Sequence, residues 1–263
     1  MNRPRFCVIS DLDGTLLNRE GKMDDDIIRI LQQWISNRSI HFTAATARDI
    51  IDCRQALGDL KIKIPMILCN GAVLYNPLSS KVIESICFSE DERVKILSAL
   101  DLCGYNGSMV CVANDKLIRK AANSFGADCF VVSASLHMDK DKWLHIKPSV
   151  EKNCEGMILS EYSSNVSLGW VIIDINPPGA SKGRWVSYLK KTLGKDDRMP
   201  TVCFGDGMND VSLLSEADYG IAVGESCSDE LLRHAKERIA YSEGKSVVNT
   251  IELMLGVQDG LCF

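Results

Sequence analysis

Residues 5–17 read RFCVISDLDGTLL, a short apolar run that leads directly into two aspartates. The run that ends at Ser10 is rich in apolar and β-prone residues, and it predicts a buried strand. Asp11 and Asp13 follow where that strand ends, and side chains two positions apart in an extended chain point to the same side. Gly14 then permits a tight turn. We therefore expect two carboxylates to converge at the carboxyl end of a strand.

The pair of carboxylates admits two interpretations. In open parallel sheets, ligands bind outside the carboxyl ends of the strands. Two acids that meet there repel each other, and a bound cation or a shared proton would relieve the repulsion. For an isolated pair of acids, however, a solvated turn after the strand is the more common explanation.

Segments of alternating character follow this stretch, and they predict a parallel sheet covered by helices. In the first third of the chain, the predicted elements are a helix over Asp24–Asn37, a strand over Ile40–Ala45, a helix over Arg48–Leu57 and a strand over Pro65–Cys69. The same alternation returns near residue 180. There we predict helices over Ser181–Leu193 (ended by Gly194), Val211–Ala217, Asp229–Ala235 and Lys245–Leu255, and strands over Thr201–Phe204, Tyr219–Val223 and Arg238–Tyr241.

The middle of the chain has a different pattern. Ser89–Glu92 forms a capping-box pattern that opens a helix reaching Leu102. Strands are predicted at Met109–Val112, Cys129–Val132 and Trp170–Ile175, with helical segments between them. The charged segment Asp139–His145 contains an aromatic residue and a histidine that could recognise a sugar, but we predict it to be a solvated loop.

Loops that contain proline mark both borders of this middle segment. We predict an α/β protein with a Rossmann-like, doubly wound parallel sheet as its core domain, built from residues 1–77 and 179–263. An α+β cap domain, residues 78–178, is inserted between the two halves.

The composition limits the class of protein. The chain has 263 residues, of which 46% are hydrophobic and 25% charged, values that are ordinary for a globular protein. A net charge of −5 argues against a protein that holds nucleic acid mainly by its charge. No run approaches the roughly 18 apolar residues of a membrane span, and the apolar run near the first residue is too short for a signal peptide.

The chain has 11 cysteines, and none of them has the CxxC spacing of a zinc or redox motif. Several stand in apolar runs, where a reduced cysteine behaves as a small hydrophobic residue. An odd number in a chain of this size favours a reducing compartment, so we predict a cytoplasmic protein.

The second group of candidate residues is TAATAR, residues 43–48, after the second predicted strand. The hydroxyl of Thr46 could donate to a phosphate oxygen, but Thr46 could also be the N-cap of the next helix. Arg48 either reaches a substrate or forms an ion pair at the surface.

Two further groups come from the second half of the chain. In GASKGR, residues 179–184, Lys182 and Arg184 fall in the first turn of a helix, where cations oppose the helix dipole. Their placement is easier to understand if an anion lies nearby, and otherwise both side chains extend into water. In FGDGMND, residues 204–210, two glycines flank Asp206 and let the backbone approach a ligand closely. The alternative for this segment is a turn with Asn209 as a helix N-cap.

Together these motifs resemble the haloacid dehalogenase superfamily, the aspartate-nucleophile phosphatases. The four matching segments are DLDGTLL at 11–17, TAR at 46–48, Lys182-Gly183 and GDGMND at 205–210. The insert of about 100 residues and the Asn70-Gly71-Ala72 segment resemble the Cof-type branch, which has a large α/β cap. The resemblance covers residues 1–77 and 179–250, and the predicted cap matches nothing that we can name.

The resemblance implies a role for each matching residue. Asp11 would be the nucleophile that forms an aspartyl-phosphate, and Asp13 would be the general acid and then the base. The implied phosphate contacts are Thr46, Lys182 and Asn209, and the weaker implied substrate contacts are Arg48, Asn70 and Gly71. The implied Mg²⁺ ligands are Asp11, the backbone carbonyl of Asp13, Asp206 and Asp210, the last directly or through water.

The function expected from this resemblance is that of a Mg²⁺-dependent phosphatase of a small phosphorylated metabolite, with a sugar phosphate as the expected substrate. The alternatives are a phosphomutase of the phosphomannomutase type and a catalytically weak member that binds a phosphorylated ligand. Two positions depart from the family pattern: Ala47 replaces a glycine, and Glu225 places an acid where the branch often has asparagine. We expect neither nucleic acid nor membrane as a partner, and the sequence does not indicate the oligomeric state.

Overall fold

The computed structural model describes residues 4–102, 104, 107–121, 130–163, 168–193, 199–241 and 243–256. The chain divides into two compact units. The first unit comprises Met1–Gly71, Asn76–Ser79 and Ser181–Phe263, and the second comprises Ala72–Tyr75 and Ser80–Ala180. The borders of the inserted domain predicted from the sequence fall after residues 77 and 178, and the role of the second unit as a cap stays a prediction.

Thirteen strands and eight α-helices are present in the part of the chain just given. Up to residue 121 they are β1 (Cys7–Ser10), α1 (Asp25–Ser36), β2 (His41–Ala44), α2 (Ile50–Leu57), β3 (Met66–Leu68), β4 (Val73–Asn76), β5 (Lys81–Ser85), α3 (Glu90–Leu102), β6 (Gly107–Ala113) and β7 (Lys116–Ala121). From residue 130 they are β8 (Phe130–Asp139), α4 (Lys140–Asn153), β9 (Ile158–Ser163), β10 (Trp170–Asn176), α5 (Val186–Leu193), β11 (Thr201–Gly205), α6 (Val211–Glu216), β12 (Tyr219–Val223), α7 (Asp229–His234), β13 (Glu237–Ile239) and α8 (Lys245–Gly256).

The first unit is built on a parallel sheet with the strand order β13-β12-β11-β1-β2. A further parallel bridge joins Ala45, just after β2, to Ile67 in β3. The strands are buried apolar runs, as expected for a parallel sheet that is covered on both faces. The α/β fold class predicted from the sequence is therefore confirmed.

The strand order positions the candidate site. The chain proceeds outward from β1 through β2 on one side and from β11 through β12 and β13 on the other, so the order reverses between β1 and β11. Ser10, the last residue of β1, is level with Phe204 in β11. Residues that follow these two strands therefore meet at the topological switch point, where open α/β sheets bind their ligands.

The second unit contains an antiparallel sheet with the strand order β7-β6-β8-β10-β9. Its core is a cluster of buried residues contributed by this sheet and by α3 and α4. Trp143 of α4 is 1% exposed in that cluster, and its indole nitrogen donates to Glu161 of β9 at 2.9 Å. The capping box predicted at Ser89–Glu92 is present, because the two residues exchange hydrogen bonds at the start of α3.

The prediction of a loop over Asp139–His145 is wrong, because most of this segment forms the first two turns of α4. Asp139 is the N-cap, and its side chain accepts hydrogen bonds from the backbone of Asp141 and Lys142. The charged side chains lie on the exposed face, while Trp143 is buried. The strands β4, β5, β7 and β9 were also not predicted, and Cys129 and Gly194 lie outside the described residues.

Within the described ranges, no helix is both long enough and apolar enough to cross a membrane. Eight cysteines fall in these ranges, and all eight are free thiols, six of them buried. Cys103, Cys129 and Cys262 lie outside the ranges.

Candidate active site

Three aspartates that follow β1 and β11 come together at the switch point. Carboxylate oxygens of Asp11, Asp206 and Asp210 lie within 4.8 Å of one another. The backbone of Asp11 is fixed against the neighbouring strand, because its N–H donates to the carbonyl of Phe204 at 2.9 Å. The parallel pairing of β1 with β11 therefore brings two motifs that are distant in the sequence together in one acidic cluster.

A buried lysine reaches the same cluster from a third segment. Nζ of Lys182 donates to Oδ1 of Asp11 and to Oδ1 of Asp210, both at 2.7 Å. The lysine and Asp210 side chains are fully buried, and that of Asp11 is 7% exposed. One interpretation of the sequence was that Lys182 and Arg184 both extend into water. This is wrong for Lys182, which is buried. Arg184 is exposed, and its guanidinium lies over the ring of Trp185.

Asp210 has hydrogen-bond partners on both of its oxygens. Oδ1 accepts from Lys182, and Oδ2 accepts from the backbone N–H groups of Asp206 and Gly207 at 3.1 and 3.0 Å. This arrangement shapes the loop that carries Asp206 and holds the lysine at the same time. A side chain at Gly205 would collide with Asp210, since a Cβ there would lie 2.5 Å from the Cβ of Asp210.

Gly14 lies directly against the carboxylate of Asp206. A Cβ at this position would be 2.0 Å from Oδ2 of Asp206, and the backbone φ of Gly14 is +73°. Both the contact and the left-handed backbone therefore require glycine here. The turn predicted from the sequence after Asp13 is thus part of the wall of the acidic cluster.

The electrostatics of the cluster follow from burial and like charge. Burial raises the pKa of Asp11 well above its usual value, and Asp210 raises it further, against the opposing effect of Lys182. Burial also raises the pKa of Asp206 to about 6, with Asp210 again adding to the shift. Both carboxyls thus hold a proton more tightly than in water when no cation is bound.

The second predicted motif lies beside Asp13. Nε of Arg48 donates to Oδ2 of Asp13, and Nη2 donates to Oδ1, each at 2.7 Å. The pair is partly exposed, with side-chain exposures of 23% for Arg48 and 43% for Asp13. The sequence left open whether Arg48 meets substrate or a surface acid, and its partner in the structure is Asp13.

Thr46 is buried and is not the N-cap of α2. Its hydroxyl accepts a hydrogen bond from the backbone N–H of Arg48 at 3.1 Å. The N-cap is Asp49, whose side chain accepts from the backbone of Ile51 and Asp52. The hydroxyl of Thr46 therefore belongs to the turn between the end of β2 and the start of α2.

Residues 69–71 form a left-handed turn that joins two of the motifs. The φ angles of Cys69, Asn70 and Gly71 are 51°, 53° and 88°. The Asn70 side chain accepts from Nδ2 of Asn209 at 3.0 Å, and the Gly71 carbonyl accepts from the indole of Trp185 at 2.8 Å.

Gly71 also fixes the start of the Lys182 segment by close contact. A Cβ at Gly71 would lie 2.0 Å from the carbonyl oxygen of Ser181 and 2.8 Å from the nitrogen of Lys182. Asn70 and Gly71 therefore lie in the wall behind the catalytic candidates. Sequence reasoning missed Trp185 and Asp49, and only the polar N-cap pattern before α2 could have indicated Asp49.

Comparison with known proteins identifies the family. A family model described as haloacid dehalogenase-like hydrolase matches residues 8–251. The chain belongs to the haloacid dehalogenase-like hydrolases. The superfamily predicted from the motifs is therefore confirmed. In its fold, this hydrolase is similar to a subclass IIB sugar phosphatase of known structure, BT4131. The aligned region covers 95% of this chain and 98% of the other, with a TM-score of 0.69 and 16% sequence identity.

Curated relatives of this hydrolase are named as phosphatases. The glucosyl-3-phosphoglycerate/mannosyl-3-phosphoglycerate phosphatase of Persephonella marina is 25% identical over 229 residues, 83% of this chain and 84% of the relative. The 5-amino-6-(5-phospho-D-ribitylamino)uracil phosphatase YcsE of Bacillus subtilis is 22% identical over 222 residues, 82% of each chain. Family and relatives together support an enzyme that hydrolyses phosphoric monoesters.

The acidic cluster of this hydrolase fits a divalent cation. If all three carboxyls are ionised, the one ammonium leaves an excess of negative charge in a largely buried site, which a divalent cation would offset. Oxygen donors of this kind are the ligands that hard divalent cations prefer.

Two other residues of the sequence motifs have a clear environment. Glu225, the acid that departs from the family pattern, is exposed. The hydroxyl of Thr15, within the first motif, is buried and has no hydrogen-bond partner among the described residues.

Proposed function

We propose that this hydrolase is a Mg²⁺-dependent phosphatase that cleaves a small phosphorylated metabolite through an aspartyl-phosphate on Asp11. The observation that carries the proposal is the contact of Lys182 with Asp11, inside the cluster formed with Asp206 and Asp210. It supports a carboxylate nucleophile at the switch point of the sheet, where the ammonium of Lys182 and a bound cation would together favour its ionised form. A carboxylate nucleophile divides hydrolysis into two displacements, each easier than direct attack by water.

The residues that would hold Mg²⁺ are the carboxylates of Asp11 and Asp206 and the backbone carbonyl of Asp13. Asp210, which already accepts three hydrogen bonds, would act through a water molecule or through Lys182. When bound, the cation offsets the negative charge of the phosphoryl group and of the carboxylates around it. We propose Mg²⁺ as the cation because it prefers oxygen ligands and retains several of its water molecules when it is bound.

In the first displacement, a carboxylate oxygen of Asp11 attacks phosphorus, and the bond from phosphorus to the leaving oxygen breaks. Asp13 gives its proton to that oxygen, so the product leaves as an alcohol. Thr46, Lys182 and Asn209 are the proposed donors to the phosphoryl oxygens, where negative charge must be stabilised.

In the second displacement, Asp13 accepts a proton from water as the water oxygen attacks phosphorus. The bond between phosphorus and Asp11 breaks, inorganic phosphate leaves, and the Asp11 carboxylate is restored. The two aspartates thus return to their starting protonation states after each cycle.

The proposed substrate is a sugar phosphate or a sugar-alcohol phosphate. Support comes from the relatives of Persephonella marina and Bacillus subtilis, whose names specify a glycosyl phosphoglycerate and a phosphoribityl compound. The second unit is the proposed cap, which would exclude water during the reaction. We also propose a cytoplasmic location, for which the free thiols among the described cysteines are the support.

A panel of phosphorylated metabolites tests the proposal. The purified protein with Mg²⁺ should release inorganic phosphate from one or a few sugar phosphates, EDTA should stop the release, and added Mg²⁺ should restore it. The Asp11→Asn variant is the matched control, because the amide keeps the shape of the side chain and is a poor nucleophile. Absence of phosphate release over the whole panel, or release that persists in EDTA, would contradict the proposal.

A further inference from the structure

The ion pair between Arg48 and Asp13 has the geometry of a strong contact. Two parallel N–H groups of one guanidinium edge donate to the two oxygens of one carboxylate, each at 2.7 Å. Such fork-shaped pairs fix the plane of the carboxylate as well as its distance. A single exposed contact would leave Asp13 free to rotate, whereas this arrangement restrains both of its oxygens.

Arg48 is itself held in place by its surroundings. Its backbone N–H donates to Thr46, and its carbonyl accepts from the N–H of Cys69. Its guanidinium lies against Gly21, where an added Cβ would be 3.0 Å from Nη2. The arginine therefore connects the end of β2 to the turn that follows the first motif. Because its own position is restrained, it can restrain the position of the Asp13 carboxylate.

The direction of these hydrogen bonds indicates which role of Asp13 they support. Both Asp13 oxygens are acceptors in the pair, and an arginine has only donors to offer. Asp13 is thus presented as a proton acceptor, the form that the second displacement needs. The pKa of Arg48 is raised, chiefly by this hydrogen bond, so the guanidinium stays charged.

We propose that Arg48 is a positioning residue that acts through Asp13 and orients it to accept the proton of the water that hydrolyses the aspartyl-phosphate. The inference rests on the proposed function. In this step the O–H bond of water breaks, its proton passes to one Asp13 oxygen, the water oxygen bonds to phosphorus, and the bond from phosphorus to Asp11 breaks. Arg48 keeps its hydrogen bond to the other Asp13 oxygen throughout.

Pre-steady-state kinetics with p-nitrophenyl phosphate isolate this step. The nitrophenolate leaves without a proton, so the first displacement does not need Asp13. The Arg48→Ala variant should therefore release about one nitrophenolate per active site in a rapid burst and then turn over roughly 10–100-fold more slowly than the wild type. Arg48→Lys should also stay slow, because an ammonium offers a point charge and not a planar fork.

A double substitution separates action through Asp13 from direct contact with substrate. If Arg48 acts through Asp13, the variant with both Asp13→Asn and Arg48→Ala should be no slower than Asp13→Asn alone. Arg29→Ala removes an arginine whose side chain is 74% exposed, and it should behave as the wild type. Arg48→Gln keeps most of the side-chain stem, and a melting curve of each variant shows whether it is folded.

The outcomes distinguish this inference from the proposed function. A higher KM without a burst, or losses that add in the double variant, would show that Arg48 meets the substrate and would overturn the inference alone. Equal slowing of both displacements in folded Arg48→Ala and Arg48→Gln would overturn it as well. A wild-type enzyme that hydrolyses neither p-nitrophenyl phosphate nor any compound of the metabolite panel would remove the proposed function, and this inference with it.

Discussion

Nζ of Lys182 lies 2.7 Å from Oδ1 of Asp11, although 171 positions separate the two residues in the sequence. The ammonium is fully buried and also contacts Asp210, so two carboxylates of the cluster compensate its charge. A buried charge without a partner is strongly unfavourable, which makes each member of this cluster depend on the others. The stability and the activity of the protein are therefore coupled at one group.

Replacement of Lys182 by methionine should impair both properties. Removing one partner of a buried pair typically costs roughly 3–5 kcal/mol, because the remaining charges lose their compensation. We expect a large drop in the free energy of unfolding, measured by chemical denaturation without metal, and loss of phosphatase activity. Lys190→Met is the matched control, because Lys190 pairs with Asp218 at 2.9 Å while that carboxylate is 49% exposed. A control loss below about 1 kcal/mol is expected for such a pair, and equal losses in the two variants would contradict the assignment.

Substitution of Gly71 by alanine tests whether the left-handed turn positions Lys182. The added Cβ would lie 2.0 Å from the Ser181 carbonyl, so the segment that carries the lysine must move. We expect kcat to fall about 10–100-fold with a smaller change in KM, since small displacements of catalytic groups have effects of this size.

Gly156→Ala controls for the backbone cost of the Gly71 substitution. Gly156 has a φ of +86°, close to the +88° of Gly71, but nothing lies within 4 Å of the added carbon. Both variants should lose some stability, and only Gly71→Ala should lose activity. Full activity in Gly71→Ala would show that this turn does not position the lysine.

The effect of Mg²⁺ on stability should depend on pH. Without metal, the pKa of Asp206 is raised to about 6. The protonated carboxyl therefore makes its full contribution to stability below its ordinary pKa of 3.8. That contribution is lost as the pH rises through about 6. Asp11 shifts in the same direction. Mg²⁺ should therefore raise the melting temperature more at about pH 8 than at about pH 5, where protons compete for the ligands. Asp206→Asn should remove most of this difference, and a shift by Mg²⁺ that is independent of pH would contradict the ligand assignment.

Two substitutions at Thr46 test the proposed contact with the phosphoryl group. Thr46→Val keeps the volume and removes the hydroxyl, while Thr46→Ser keeps the hydroxyl and removes a methyl group. Loss of a donor to developing charge costs roughly 10²–10³ in kcat in comparable sites, so the valine variant should be severely impaired and the serine variant far less so. Steady-state kinetics on the best substrate of the panel measure the difference. Similar activities for the two variants would remove Thr46 from the site.

The sequence predicted the parts of the site that depend on strand ends. Asp11 and Asp206 each follow a short apolar run, and parallel pairing of the two runs brings both to one edge without further information. The α/β fold class depended on the same alternation of strands and helices and is confirmed. In the second unit, by contrast, residues 139–145 at the start of α4 were predicted as a loop, because their charged side chains hid the N-cap at Asp139 and the buried Trp143.

Contacts that depend on tertiary geometry could not be predicted. Arg48 and Asp13 are separated by 35 positions, and no spacing rule relates them. The left-handed turn at Asn70 and its contact with Asn209 depend on the packing of three loops, each of which has several conformations open to it in isolation. Sequence patterns indicated the candidate residues, and the structure was needed to show which of their side chains contact one another.

Identification of the phosphorylated residue tests the central claim most directly. The enzyme is mixed with its best substrate, quenched in acid and reduced with borohydride, which converts an aspartyl-phosphate to homoserine, and peptide mass spectrometry then locates the modified residue. Homoserine is expected at position 11. With p-nitrophenyl phosphate as the substrate, whose leaving group needs no proton, its amount should increase in the Asp13→Asn variant, because only hydrolysis of the intermediate is then slowed. Modification at another residue, or phosphate release from a substrate with no modified residue in either protein, would contradict it.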